Sequence, residues 1–99
     1  MAALVMSNGV ITISNTTDTF TMPQGAGALL LPRSASFYGS AVSQLVLVDA
    51  DGVVQLELGV GVAKTNEVLD GHFFAGMRPW KTPIKATTCT AGGRLRLYI

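Results

Sequence analysis

His72 is the only histidine in this sequence and Cys89 the only cysteine. A Ser-His-Asp or Cys-His arrangement would have to use His72 as its base, with Cys89 or a serine as nucleophile. No segment repeats apolar residues at i, i+3, i+4 and i+7 without Gly or Pro interrupting, so no helix is expected behind a nucleophile in a strand-turn-helix elbow. His72 precedes Phe73 and Phe74 and reads as a strand-edge or interface residue. Cys89 reads as a small, partly buried hydrophobe, and a single Cys excludes an internal disulfide and a multi-cysteine zinc site. Asp49-Ala50-Asp51-Gly52 resembles the opening of a calcium loop, but position 12 of that loop falls on Val60, where a bidentate Glu is required. Gly25-Ala26-Gly27 is followed by Pro32-Arg33 and by no Lys-Ser/Thr, so it is not a phosphate loop. The expectation is a protein that is not an enzyme, with no catalytic residue, cofactor or metal ligand.

The cationic residues carry a different chemistry. Arg94 and Arg96 alternate with leucines in the last segment, beside Tyr98, and Lys85 stands in the segment before it. If those segments pair as a hairpin, Lys85, Arg94, Arg96 and Tyr98 share one face. Arg and Tyr are enriched where interfaces concentrate their binding energy. The stripe is therefore a candidate contact to an acidic protein surface, and its plainer use is a solvated face. Trp80, between Pro79 and Lys81, is either an anchor on a partner or a plug for the core, and Tyr38 belongs to the same class.

The elements that would position these residues are strands. Val10-Ile11-Thr12-Ile13-Ser14 alternates with period two, as does Thr17 to Met22, with Asp18, Phe20 and Met22 on one side. Ala28-Leu29-Leu30-Leu31 follows and is closed by Pro32. A hairpin is expected around Asp49-Ala50-Asp51-Gly52, because aspartates start turns and Gly52 supplies a positive φ. Pairing Val48 with Val53 sets Leu47 beside Val54 and Leu45 beside Leu56, which leaves one face apolar and the other mixed. A second hairpin, 83–89 with 94–99, aligns Thr88 with Leu95, Ala86 with Leu97 and Ile84 with Ile99. The best short helix is Lys64 to Leu69, stopped by Asp70-Gly71. His72 to Trp80 reads as one bent strand or two short ones. About eight short strands at roughly 8–12-residue spacing mark a sandwich or barrel, and the expected fold is all-β: an antiparallel β-sandwich, jelly-roll-like, formed by one domain over 1–99.

Composition bounds the function. The chain has 99 residues, 48% hydrophobic and 13% charged, against about 25% charged in an ordinary soluble domain. Mean hydropathy is +0.42. Such a surface calls for a partner, and the apolar outer positions Val46, Val48 and Val53 point the same way. The net charge of +1 is too small to drive nucleic-acid binding. The apolar stretch from Ala41 to Ala63 contains Asp49, Asp51 and Glu57, and each acid at a bilayer centre would cost about 2.5–3.5 kcal/mol, so no membrane span is expected. The opening Met1 to Ser7 lacks the basic start and long apolar run of a signal peptide, which implies synthesis in a cytosol without export.

The succession Ile11-Thr12-Ile13-Ser14-Asn15-Thr16-Thr17, Leu29-Leu30-Leu31, Leu45-Val46-Leu47-Val48-Asp49, Phe73-Phe74-Ala75-Gly76-Met77, and a Gly-Gly turn into Arg94-Leu95-Arg96-Leu97-Tyr98-Ile99 resembles the small all-β virion proteins of tailed bacteriophages. The likeness is greatest to capsid decoration, or cement, proteins, and it lies in strands and turns rather than in one motif. The resemblance implies a homo-oligomer, a trimer first of all, made in the host cytoplasm. It would sit on the outer surface of the virion capsid, clamp neighbouring major capsid proteins, and carry no catalytic residues. The alternative is the carbohydrate- or receptor-binding knob of a phage fibre.

Overall fold

Alternation with period two governs most of this chain, and the backbone follows it. The computed structural model describes residues 9–90 and 92–99, with the backbone of 2–3. Its strands are β1 (Ala2–Ala3), β2 (Val10–Ile13), β3 (Asp18–Phe20), β4 (Leu29–Leu30), β5 (Ser34–Gly39), β6 (Ser43–Val48), β7 (Val54–Val60), β8 (Thr65–Leu69), β9 (Trp80–Lys81), β10 (Ile84–Cys89) and β11 (Gly93–Tyr98). One helical turn, α1 (Gly71–Phe74), interrupts them. Among the described residues, eight strands run to three residues or more, as the spacing of turn residues predicts.

The strands form two main sheets. The first has the order β1-β3-β10-β6-β7 and the second β2-β11-β5-β8, while β4 and β9 pair separately. All pairs are antiparallel except β1 with β3. The first sheet buries Phe20, Leu45, Leu47, Leu56, Leu58 and Ile84, and the second buries Ile11, Ile13, Phe37, Leu95 and Leu97, all in one cluster. Each such side chain contributes about 1.5–3 kcal/mol on burial, so this shared core is what holds the sheets together. At Gly39 of β5 the sheets leave no room for a side chain. A Cβ there would lie 2.2 Å from Val60 Cγ2 and 2.7 Å from the Ala41 carbonyl oxygen.

Four expectations are corrected. First, β10 and β11 do not form a hairpin. β10 pairs with β3 and β6, and β11 with β2 and β5, so the short connection between them passes from one sheet to the other. The crossing is fixed by hydrogen bonds from Thr90 N to Gln44 O at 3.0 Å, Gly93 N to Thr90 O at 3.0 Å and Ser40 N to Gly92 O at 3.0 Å. Ile84, Ala86, Leu95 and Leu97 still point inward as expected. Thr88 does not: an irregularity between Ala86 and Thr88 sets Thr88 opposite Val46 and turns Cys89 toward buried Leu45.

Second, the β6–β7 hairpin forms, but its body is shifted by two residues, with Leu47 opposite Leu56 and Leu45 opposite Leu58. Asp49 is the cause. Its Oδ1 accepts from the N–H groups of Asp51 (2.9 Å) and Val53 (3.0 Å), and its own N–H donates to Val53 O (3.0 Å), which takes Val53 into the turn. Gln55 occupies the irregularity that follows and donates from Nε2 to Asp49 Oδ2 at 2.9 Å. A slip of two keeps every side chain on its face, so Leu56 and Leu58 are buried and Glu57 is exposed. Val54, expected beside Leu47, is 48% exposed.

Third, 64–69 is a strand. Lys64 takes a left-handed conformation (φ 62°) and donates to Gly39 O at 2.7 Å, and Thr65 to Leu69 then pair along β5. Asp70 starts a helix instead of ending one, its carboxylate accepting from Phe73 N at 3.2 Å, so His72-Phe73-Phe74 is a helical turn that buries Phe74. Fourth, Val48 is buried within the chain and Val46 is half-buried, which leaves Val53 as the exposed member of that trio.

Candidate functional site

The exposed residues of β11 lie in the middle of the second sheet, so neighbours on both sides frame them. Arg96 stands opposite Thr12 of β2 and Ser36 of β5, and Ser36 in turn stands opposite Val68 of β8. Arg94 stands opposite Tyr38, which stands opposite Asn66. Tyr98 stands between Val10 and Ser34. No carboxylate occupies these rows. Glu67, the acid of β8, lies one residue out of phase, opposite buried Phe37 and half-buried itself.

The arginines are ordered differently. The Arg94 guanidinium lies over the Tyr38 ring, 5.9 Å from its centroid, an arrangement that attracts a cation to the ring face and restrains the long side chain. Arg96 lies beside hydroxyl groups, and Ser36 Oγ is 3.4 Å from Tyr98 Oη. Arg94, Arg96, Tyr38, Ser36 and Asn66 line a cleft of about 180 Å³. Among the described residues the one ion pair is Lys81–Asp51, at 3.4 Å and exposed on both sides, so neither arginine is neutralised by an acid. Two guanidiniums with five donors each, flanked by hydroxyls and an amide, can bind carboxylate, sulfate or phosphate oxygens.

Lys85 is not part of this face. It pairs with Thr19 and Val48 in the first sheet. The inward residues of β10 and β11 point at one core, so their outward residues point to opposite sides of the molecule. The stripe is thereby divided, and only Arg94, Arg96 and Tyr98 are brought together. Trp80 is fully buried, edge-on to Phe74 with ring centroids 6.2 Å apart, and plugs the core. Its indole N–H finds no acceptor among the described residues.

The outer side of the first sheet carries both charge signs, Lys85 and Glu57 both being exposed. Glu57 is exposed, and beside it an open groove of about 540 Å³ is lined by Val42, Gln44, Glu57, Gly59 and Gly61 among others, with Glu57 the charged group in its lining. At the turn, burial pushes the Asp49 carboxyl upward, but the hydrogen bonds from Gln55, Val53 and Asp51 and the Lys81 cation outweigh it and hold it below its ordinary value. Burial, with a smaller contribution from the Asp18 carboxylate, pushes the Cys89 thiol up, away from the thiolate a nucleophile needs. His72 is exposed on α1, which packs on β5 and β8, whereas Cys89 ends β10 in the other sheet.

Sequence reasoning singled out Arg94, Arg96, Tyr98 and Tyr38 but missed Ser36 and Asn66. The alternation Ser34, Ser36, Tyr38 against Ala35, Phe37, Gly39 was a legible period-two signal for β5. Asn66 lies in the 64–69 segment, whose sequence reads as a short helix. No protein-family model, no curated protein and no solved structure matches the chain.

Proposed function

We propose that the protein acts by docking, as a non-enzymatic decoration protein on the outer surface of a tailed-phage capsid, where it clamps neighbouring major capsid proteins. The observation that carries this reading is the outer face of the second sheet: Arg94 and Arg96 on one side of one strand among hydroxyl and aromatic groups, with no acid in the two rows they occupy. Such a face suits an acidic protein surface. The phage context comes from the resemblance of the strand and turn succession.

The architecture proposed with it is a jelly-roll-like sandwich. The nested pairing supports it: β2 with β11, β3 with β10, β5 with β8, and β6 with β7. A ribbon of four strand pairs, rolled up so that successive pairs fall in alternate sheets, produces the two sheet orders seen here. A homo-oligomer, a trimer first, belongs to the same proposal. Val42, Val62 and Val68 are each at least 67% exposed on a chain with few charges, and contacts between copies would cover such positions.

A decoration protein that binds the assembled lattice and not dissociated subunits opposes disassembly with its whole binding free energy. The test is co-sedimentation of the protein with capsids that lack it, read beside the heat stability of those capsids and the solution mass from light scattering. Saturable binding that raises the disassembly temperature is expected, with a mass of several copies. Failure of the wild-type protein to bind or stabilise any shell removes the decoration reading and puts the fibre knob first. A stable species of 10.4 kDa removes the oligomer.

A further inference from the structure

We propose that the outer face of the second sheet recognises an extended acidic segment of a partner protein, with carboxylates at alternate positions, and that Arg94 and Arg96 each take one of them. This rests on the docking reading above and names what the face binds. The two arginines are two residues apart on one strand, so they leave the same side of the sheet about 7 Å apart. An extended chain laid along β11 presents its own side chains at that same interval. Acids at positions j and j+2 therefore meet both guanidiniums without a bend in either backbone.

The surroundings favour this occupant over other anions. The cleft of about 180 Å³ is smaller than the roughly 300–1,000 Å³ that enclose a typical small-molecule ligand, so it suits side-chain ends laid over it better than an enclosed small molecule. Arg94, held over Tyr38, is partly pre-ordered, which lowers the entropy lost on binding. Asn66 and Ser36 can donate to a carboxylate oxygen that the guanidiniums leave free. A polynucleotide needs many phosphate contacts for affinity, and this face has two cations on a chain of net charge +1.

The test uses the isotope-labelled full chain at low salt, titrated with short peptides and followed by its backbone amide signals. One peptide carries two glutamates at alternate positions among threonines, a second has the same composition with the glutamates adjacent, and a third replaces both by glutamine. The alternating peptide should bind several-fold more tightly than the adjacent one, shifting amides of β11 and β5, and the glutamine peptide should not bind. Arg94→Gln and Arg96→Gln should each weaken binding about threefold and together about tenfold, the size expected for two exposed charge pairs. Arg94→Lys with Arg96→Lys should recover only part, because an ammonium lacks the planar fork. Amide spectra unchanged away from β11 and its neighbours establish that the variants fold.

Equal binding of the alternating and adjacent peptides overturns the proposal, as does equal or tighter binding of a single-stranded oligothymidylate or of inorganic sulfate. Shifts centred on Lys85 in the first sheet overturn it too. The two readings fail separately. Peptide binding by a protein that binds no shell removes the decoration reading alone, and undiminished shell binding by Arg94→Gln/Arg96→Gln removes this one alone.

Discussion

The two sheets present outer faces built from the same alternating strands, yet the faces differ in chemistry. On the first sheet the exposed polar groups include Lys85, Gln44 and Glu57, of both charge signs, and the turn beside it ties Asp49 to Gln55 and Asp51 to Lys81. On the second, Arg94 and Arg96 stand among serines, a threonine, an asparagine and tyrosines without an acid in their rows. Beside the first face, the charges of the turn are met within the molecule. The second leaves two cations to be met from outside. A net charge of +1 hides this division, because the sum of charges says nothing about where each one points.

The comparison is broken most severely by disturbing the core both sheets share. Leu56→Ala should cost about 2–5 kcal/mol in a denaturant melt, the range for a buried leucine replaced by a cavity, whereas Glu57→Ala on the outer side should cost less than about 0.5 kcal/mol. Equal losses would contradict the division of β7 into a buried and an exposed face, and reversed losses would mean that its faces lie the other way round. Next comes Gly39→Ala, where the new methyl meets Val60 and the Ala41 carbonyl. Overpacking of that kind costs about 1–3 kcal/mol, and a melt unchanged from wild type would place the sheets further apart than described.

Binding separates the faces without touching the core. Arg94→Glu plus Arg96→Glu should fold normally and bind capsids about tenfold more weakly or worse. Lys85→Glu, on the opposite side, should leave occupancy within about twofold, as expected for a charge outside the contact. Co-sedimentation at several salt concentrations reads both, and an equal loss in the two would restore a single cationic stripe.

The smallest effect is expected at the Asp49 turn and depends on pH. The carboxyl of Asp49 is held below its ordinary value, so the folded state binds its proton less readily than the unfolded state. The stability it contributes is present above the unfolded value of about 3.9 and is lost as pH falls through the lower, folded value. Asp49→Asn should therefore cost about 1 kcal/mol near neutral pH, and the difference from wild type should shrink in acid. A gap that stays constant between pH 6 and about pH 2, below the ordinary carboxylate range, would show that the charge contributes nothing.

Much of this arrangement was legible one residue at a time. Ile11, Ile13, Leu45, Leu47, Leu56, Leu58, Ile84, Ala86, Leu95 and Leu97 are buried, and each could be placed inward from alternation alone. Arg94, Arg96 and Glu57 could likewise be placed outward. The pleat has period two because of local backbone sterics, so the in-or-out assignment of a side chain is a property of its own strand. The Asp49 turn was also readable, because an aspartate that accepts N–H groups of the residues just after it acts within a few positions of chain. How far that turn would draw Val53 out of the ladder was not.

Which strands lie side by side was decided only by the tertiary structure. β10 and β11 have the alternation of a hairpin, and pairing them directly would have kept the same residues inside. They instead pair with β3 and β6 and with β2 and β5, so that both apolar faces close one core. That choice depends on the packing of residues far apart in sequence, and no local pattern records it. It sends Lys85 to one side of the molecule and Arg94 with Arg96 to the other, buries Trp80 where a surface anchor was possible, and brings Tyr38 and Asn66 beside the arginines. Alternation by itself determined, along most of each strand, which side chains face water. Only the non-local pairing of strands, through the core it allowed to close, decided which of them face it together.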